Sequence, residues 1–110
     1  MPKEGHSYKL KELQKLVPLG LREARERSGL TARQAATKIG ISDQALQMHE
    51  EGRNLPQLEV FLRELAAYSL DFASFHQLLL EVKLAQRIKA LEEEIQALTQ
   101  RLEQVQEPEG

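Results

Sequence analysis

An all-α protein is what this sequence predicts: a compact five-helix domain followed by one long C-terminal coiled-coil helix. Three observations carry that expectation. Valine, isoleucine, threonine and tyrosine are scarce, and no stretch alternates apolar and polar residues as a strand does. Short amphipathic segments are punctuated by Pro18, Gly29, Gly40, Gly52 and Pro56. From Leu84 the apolar residues Leu84, Ile88, Leu91, Ile95, Leu98, Leu102 and Val105 recur at spacings of 4, 3, 4, 3, 4 and 3, a heptad seam.

Residues 8–17 place Leu10, Leu13 and Val17 on one stripe with lysines opposite, which predicts a short amphipathic helix. Pro18 suits the first turn of the next helix, where its missing N–H costs nothing, and Gly29 suits its left-handed end. Thr31 caps a brief helix that stops near Gly40; Ser42 with Asp43 opens another that stops at Gly52. Pro56 is expected to start a fourth helix with Leu58, Phe61, Leu62 and Leu65 on its inner face. Asp71 or Ser74 caps a fifth, and nothing breaks that helix before Gln106, so it is expected to run on into the heptad segment. The expected organisation is a basic segment with its short helix over residues 1–17 and a helical domain over 18–80. A coiled-coil dimerisation helix over 81–106 and a disordered tail over 107–110 complete it.

Composition narrows the function. The chain has 110 residues, 41% of them apolar and 29% charged, room for one small domain with an appendage. No run approaches the roughly 20 apolar residues a bilayer requires, and the lysine-rich start is no signal peptide, so a soluble cytoplasmic protein without membrane contact is expected. The absence of cysteine removes disulfides, thiolate catalysis and cysteine-ligated zinc. His6 and His76 stand far apart without carboxylates at ligand spacing, so no metal site is expected. There is no nucleophile–base set and no glycine-rich phosphate loop, so the protein is not expected to be an enzyme or to need a cofactor. The net charge of −2 hides a gradient. Lysines dominate the first 19 residues, among them Lys3, Lys9, Lys11 and Lys15; the middle is near neutral and the end acidic. The basic front reads as a solubilising helix face, with an arm touching phosphates as the alternative.

Residues 32–51, ARQAATKIGISDQALQMHEE, have the pattern of a helix-turn-helix. The first helix needs a small residue where the second crosses it closely, here Ala36. The turn needs a positive φ, here Gly40, with Ile39 and Ile41 flanking it and Leu46 pointing into the core. His49 reads as a packed, hydrogen-bonded residue.

Residues 19–79 resemble the lambda-repressor-like helix-turn-helix of the XRE family of transcription regulators, through LREARERSGLTARQAATKIGISDQALQMHEEGRNLP from Leu21 to Pro56. The resemblance implies that Arg25 on the first helix pairs with Glu50. It also implies that the second motif helix enters the DNA major groove. Its readers would be Asp43, Gln44, Ala45, Gln47 and Met48. Gln44 and Gln47 could pair with adenine, Ala45 and Met48 could touch thymine methyls, and Asp43 could accept from a cytosine amino group. Ser42, Arg33, Arg53 and Asn54 would hold phosphates. Departures from the family pattern are the absence of Arg or Lys from Gly40 to Gly52, Ala32 in place of a frequent Gln, and the acids Asp43, Glu50 and Glu51.

With Ile88 and Ile95 at a and Leu84, Leu91 and Leu98 at d, the seam favours a parallel two-stranded coil in which Arg87 faces Glu92 of a second copy. Antiparallel pairing and a tetramer stay open. The sequence is thus read as a homodimeric, sequence-specific repressor of double-stranded DNA sites with inverted-repeat symmetry. The alternative is an adaptor whose helix-turn-helix docks a protein partner such as RNA polymerase or another regulator.

Overall fold

The computed structural model describes residues 9–105 and contains five α-helices: α1 (Leu10–Arg27), α2 (Ala32–Ile39), α3 (Asp43–Glu51), α4 (Leu58–Ala67) and α5 (Phe72–Val105). No strand occurs among the described residues. Lys3, His6 and the expected tail over 107–110 lie outside them, as does Gln106.

The caps explain where most helices begin and end. Thr31 Oγ1 accepts from Gln34 N at 3.1 Å while Gln34 Oε1 accepts from Thr31 N at 2.9 Å, a reciprocal box at the start of α2. Ser42 Oγ accepts from Ala45 N at 3.0 Å and opens α3. Asp71 Oδ1 accepts from Ser74 N at 2.8 Å, which selects Asp71 over Ser74 as the cap of α5. Gly40 (φ 90°) ends α2 in the left-handed conformation that the turn into α3 requires.

Three local expectations are corrected. The break at Pro18 is absent: α1 runs through it as one 18-residue helix. The buried positions Leu16, Gly20, Leu21 and Ala24 form one continuous face across the proline, and burying that face on a single helix outweighs the one hydrogen bond the proline removes. Leu10, placed on the inner stripe by its spacing, is 72% exposed, and Leu16 is buried instead. In α4 the helix starts at Leu58 rather than Pro56, and its inner face is rotated: Glu64, Leu65 and Ala67 are buried while Leu58 and Leu62 are exposed.

The core joins the first four helices. Leu21 of α1, Ala35 and Ala36 of α2, and Leu46 of α3 are completely buried, with Leu65 and Tyr68 reaching in from α4 and its end. Small residues at 35 and 36 let α3 cross α2 closely. The start of α5 packs on α1 through Phe75, Leu78 and Leu79. Phe75 meets Phe61 of α4 edge-on at 5.3 Å between ring centroids. Arg27 and Glu81 (2.9 Å) and Lys83 and Glu12 (2.9 Å) bridge the same two helices.

α1 and α5 approach each other tightly at Gly20. A Cβ there would lie 2.5 Å from Leu79 Cδ2 and 3.3 Å from Phe75 Cζ. Gly20→Val is therefore expected to cost about 1–3 kcal/mol in chemical denaturation, since overpacking outweighs the gain in helix propensity. An unchanged denaturation midpoint would mean that α5 does not seat on α1 as described.

From Leu84 onward the side chains of α5 are exposed. Leu84, Ile88, Leu91, Ile95, Leu98, Leu102 and Val105 are each at least 40% exposed, so the whole seam is uncovered in the single chain. No helix among the described residues is long and apolar enough to cross a membrane.

Candidate nucleic-acid interface

α3 buries Leu46 and His49 against the core and turns its other side outward. Ser42, Asp43, Gln44, Gln47 and Glu51 are exposed along it, while Ala45 and Met48 are half-buried. Asp43, Gln47 and Glu51 border a shallow groove completed by Arg22 of α1 and Ala32 at the start of α2. The free backbone N–H groups at the start of α3 add partial positive charge there.

Two buried polar contacts set the position of α3. Arg25 of α1 forms a bidentate pair with Glu50: Nε donates to Oε2 at 2.7 Å and Nη2 to Oε1 at 3.0 Å. Its remaining nitrogen, Nη1, donates to Leu30 O at 3.0 Å. One guanidinium thus ties α1, the connection after it and α3, and the Glu50 hydrogen bond raises the arginine pKa still further. The second contact is His49 Nδ1 with Glu64 Oε2 of α4 at 2.7 Å. Glu64 is fully buried. Burial pushes its carboxyl pKa up, and the hydrogen bond from His49 works against that rise. Beside it Tyr68 is likewise pushed up by burial, and neither Glu64 Oε1 nor the Tyr68 hydroxyl has a protein hydrogen-bond partner.

Sequence reasoning missed Glu64, because a charged residue among leucines reads as solvent-facing. The only available signal was the histidine at 49, a polar residue on an otherwise apolar face that calls for a partner. It also missed Arg63, whose Nη1 donates to Ile39 O at 3.0 Å and satisfies the last turn of α2.

The residues assigned to DNA contact come from three places. Asp43, Gln44, Ala45, Gln47 and Met48 lie on α3 with Ser42 as its N-cap, and Arg53 and Asn54 follow in the loop after Gly52. Arg33 reaches the same surface from α2, with Nε 3.4 Å from Asp43 Oδ2. Gln47 Nε2 donates to Glu51 Oε2 at 2.9 Å, and Arg53 Nε lies 3.2 Å from Glu51 Oε1. The seam residues of α5 stand apart from this surface. No group of three His, Asp or Glu able to hold a metal occurs among the described residues.

The family described as "Helix-turn-helix domain" matches residues 20–74, half of the chain. Among solved structures, the crystal structure of the clp gene regulator ClgR from Corynebacterium glutamicum is similar, with a TM-score of 0.59 and 24% identity. The alignment covers 87% of this chain and 96% of that one. At that identity the likeness is one of fold. No curated protein matches the chain.

Proposed function

Because this chain belongs to the helix-turn-helix domain family, we propose that it is a cytoplasmic, sequence-specific DNA-binding transcription regulator, acting as a homodimeric repressor. The observation that carries the reading is α3 itself: an exposed helix whose polar N-terminal half projects from the domain while Arg25–Glu50 and His49–Glu64 hold its base. A helix with that exposure fits the major groove. Gln44 and Gln47 offer amides to adenine, and Asp43 an acceptor to a cytosine amino group. Ser42, Arg33, Arg53 and Asn54 lie around its two ends, where phosphates would run.

A second copy completes the machine. The uncovered leucine and isoleucine seam on α5 supports a parallel coiled coil, with Arg87 opposite Glu92 of the other copy. Two domains joined in this way would set their α3 helices into successive major grooves of an inverted repeat, with half-sites about 34 Å apart or a multiple of that. Repression then follows from occupancy, as the bound dimer blocks access to the duplex.

Selection of bound sequences from random duplex DNA at low salt, with the full-length protein, tests the proposal. Enrichment of an inverted repeat is the expected result. Gln44→Ala is then expected to lower affinity for the enriched site by about 10-fold and to relax preference at one base pair per half-site, since a bidentate amide–adenine pair discriminates by about 1–3 kcal/mol. Unchanged selectivity would mean that Gln44 does not read bases.

One observation favours a different reading. The exposed acids Asp43 and Glu51 give α3 a surface closer to those that dock proteins, which supports an adaptor binding a polymerase or another regulator. A folded dimer that enriches no duplex would favour the adaptor.

A further inference from the structure

The arginines assigned to phosphate contact are not free in the isolated protein. Asp43, the first residue of α3, holds Arg33 (3.4 Å), and Glu51, its last, holds Arg53 (3.2 Å). Glu51 also takes the Gln47 amide on its other oxygen. Each end of the reading helix therefore carries an arginine neutralised by an acid of that same helix.

These pairs do little for the fold. The Arg33 and Arg53 side chains are 85% and 70% exposed, and exposed ion pairs contribute little to stability. Their effect falls on what α3 presents to a ligand. A carboxylate at Nε occupies one of the donors a phosphate would use, and offsets the charge a phosphate would see. Affinity for duplex of arbitrary sequence comes from cations that displace counterions from phosphates. Paired arginines contribute least to that term.

Resting on the DNA-binding reading above, we propose that Asp43 and Glu51 are specificity-determining residues that withhold Arg33 and Arg53 from the phosphates of non-cognate duplex. At a cognate site Asp43 gains a cytosine amino group and leaves Arg33, while Gln47 gains a base edge and leaves Glu51. Arg33 is released to the flanking phosphates, and Glu51 keeps the charge of Arg53 offset on every sequence. On arbitrary sequence no such base partner is offered and the pairs persist. The acids thus lower binding everywhere but lower it most where it is unwanted, which is how discrimination is built by penalising the wrong partner.

The test uses the full-length protein and its Asp43→Asn/Glu51→Gln variant, titrated across a salt series against a mixed-sequence duplex and against a duplex carrying the sequence enriched by selection. The variant is expected to bind the mixed-sequence duplex on the order of tenfold more tightly at low salt. Its salt dependence should be steeper by up to about 0.9 per freed arginine, and its preference for the enriched sequence lower. Adding Arg33→Ala and Arg53→Ala is expected to cost several-fold more affinity in the neutralised background than in the wild-type one. Equal costs in both backgrounds would overturn the proposal, leaving the acids as simple repellents of DNA; so would a variant with no gain on mixed sequence. A folded protein that binds no duplex, with the acids present or neutralised, would overturn the DNA-binding reading itself.

Discussion

His49→Ala is expected to destabilise the domain by about 3–5 kcal/mol in chemical denaturation, because it strands a buried carboxylate. Glu64 is fully enclosed, its Oε1 has no protein partner, and His49 supplies the hydrogen bond to Oε2. The loss should depend on pH, with a sign that follows from the burial of Glu64. A carboxyl whose folded pKa is raised above its unfolded value contributes stability below the unfolded pKa, near 4.5, and loses it as pH rises through the raised value. Without His49 the rise is larger, so the gap between variant and wild type should be wider at about pH 8 than near the unfolded value of 4.5, because protonation of Glu64 relieves the cost of its burial. Denaturation at both pH values measures this. A loss under about 1 kcal/mol, or a gap that does not change with pH, would show that Glu64 is not charged in the native protein. Because His49 sits on α3 and Glu64 on α4, the same variant should also loosen the seating of α3.

The second large effect concerns α5. Ile88→Asp combined with Ile95→Asp is expected to convert a dimer to a monomer in sedimentation, and to lower affinity for the enriched duplex by about 10²–10⁴-fold by removing the linkage between two half-site contacts. The helix-turn-helix domain should stay folded, since both isoleucines are more than half exposed and outside its core. Helical signal should fall, because a single amphipathic segment of this length is marginal in water by itself. A wild-type protein that is already monomeric at the concentrations where it binds DNA would sink this prediction.

Much of the architecture was legible because it rests on local rules. Thr31, Ser42 and Gly40 announce their caps by residue type alone, and each sits where capping chemistry requires it. The long final helix was legible because nothing in the sequence breaks it before Gln106. What could not be read depends on which face the rest of the molecule covers. Leu58 and Leu62 look like core by spacing, yet the face of α4 that turns inward carries Glu64, because His49 waits there from another helix. Pro18 looks like a boundary, yet burial on both sides of it keeps α1 in one piece. Arg25 and Glu50 are 25 residues apart, so only the family resemblance could associate them before the structure placed them together. The pairing of Arg33 and Arg53 with acids of α3 had no such guide, because exposed side chains choose partners by tertiary proximity.

The tight contact at Gly20 has a mechanical consequence. The 22 residues of α5 from Leu84 to Val105 make a rod about 33 Å long at 1.5 Å per residue. Such a rod is a lever, and the place where Leu79 meets Gly20 is its fulcrum. A tilt of about 5° there would carry the far end sideways by about 3 Å over that length. In a dimer clasped along the rods, the same tilt would splay or close the two domains. The hardness of one glycine contact would therefore limit how much variation in half-site spacing such a dimer tolerates, at a distance from the residues proposed to read bases.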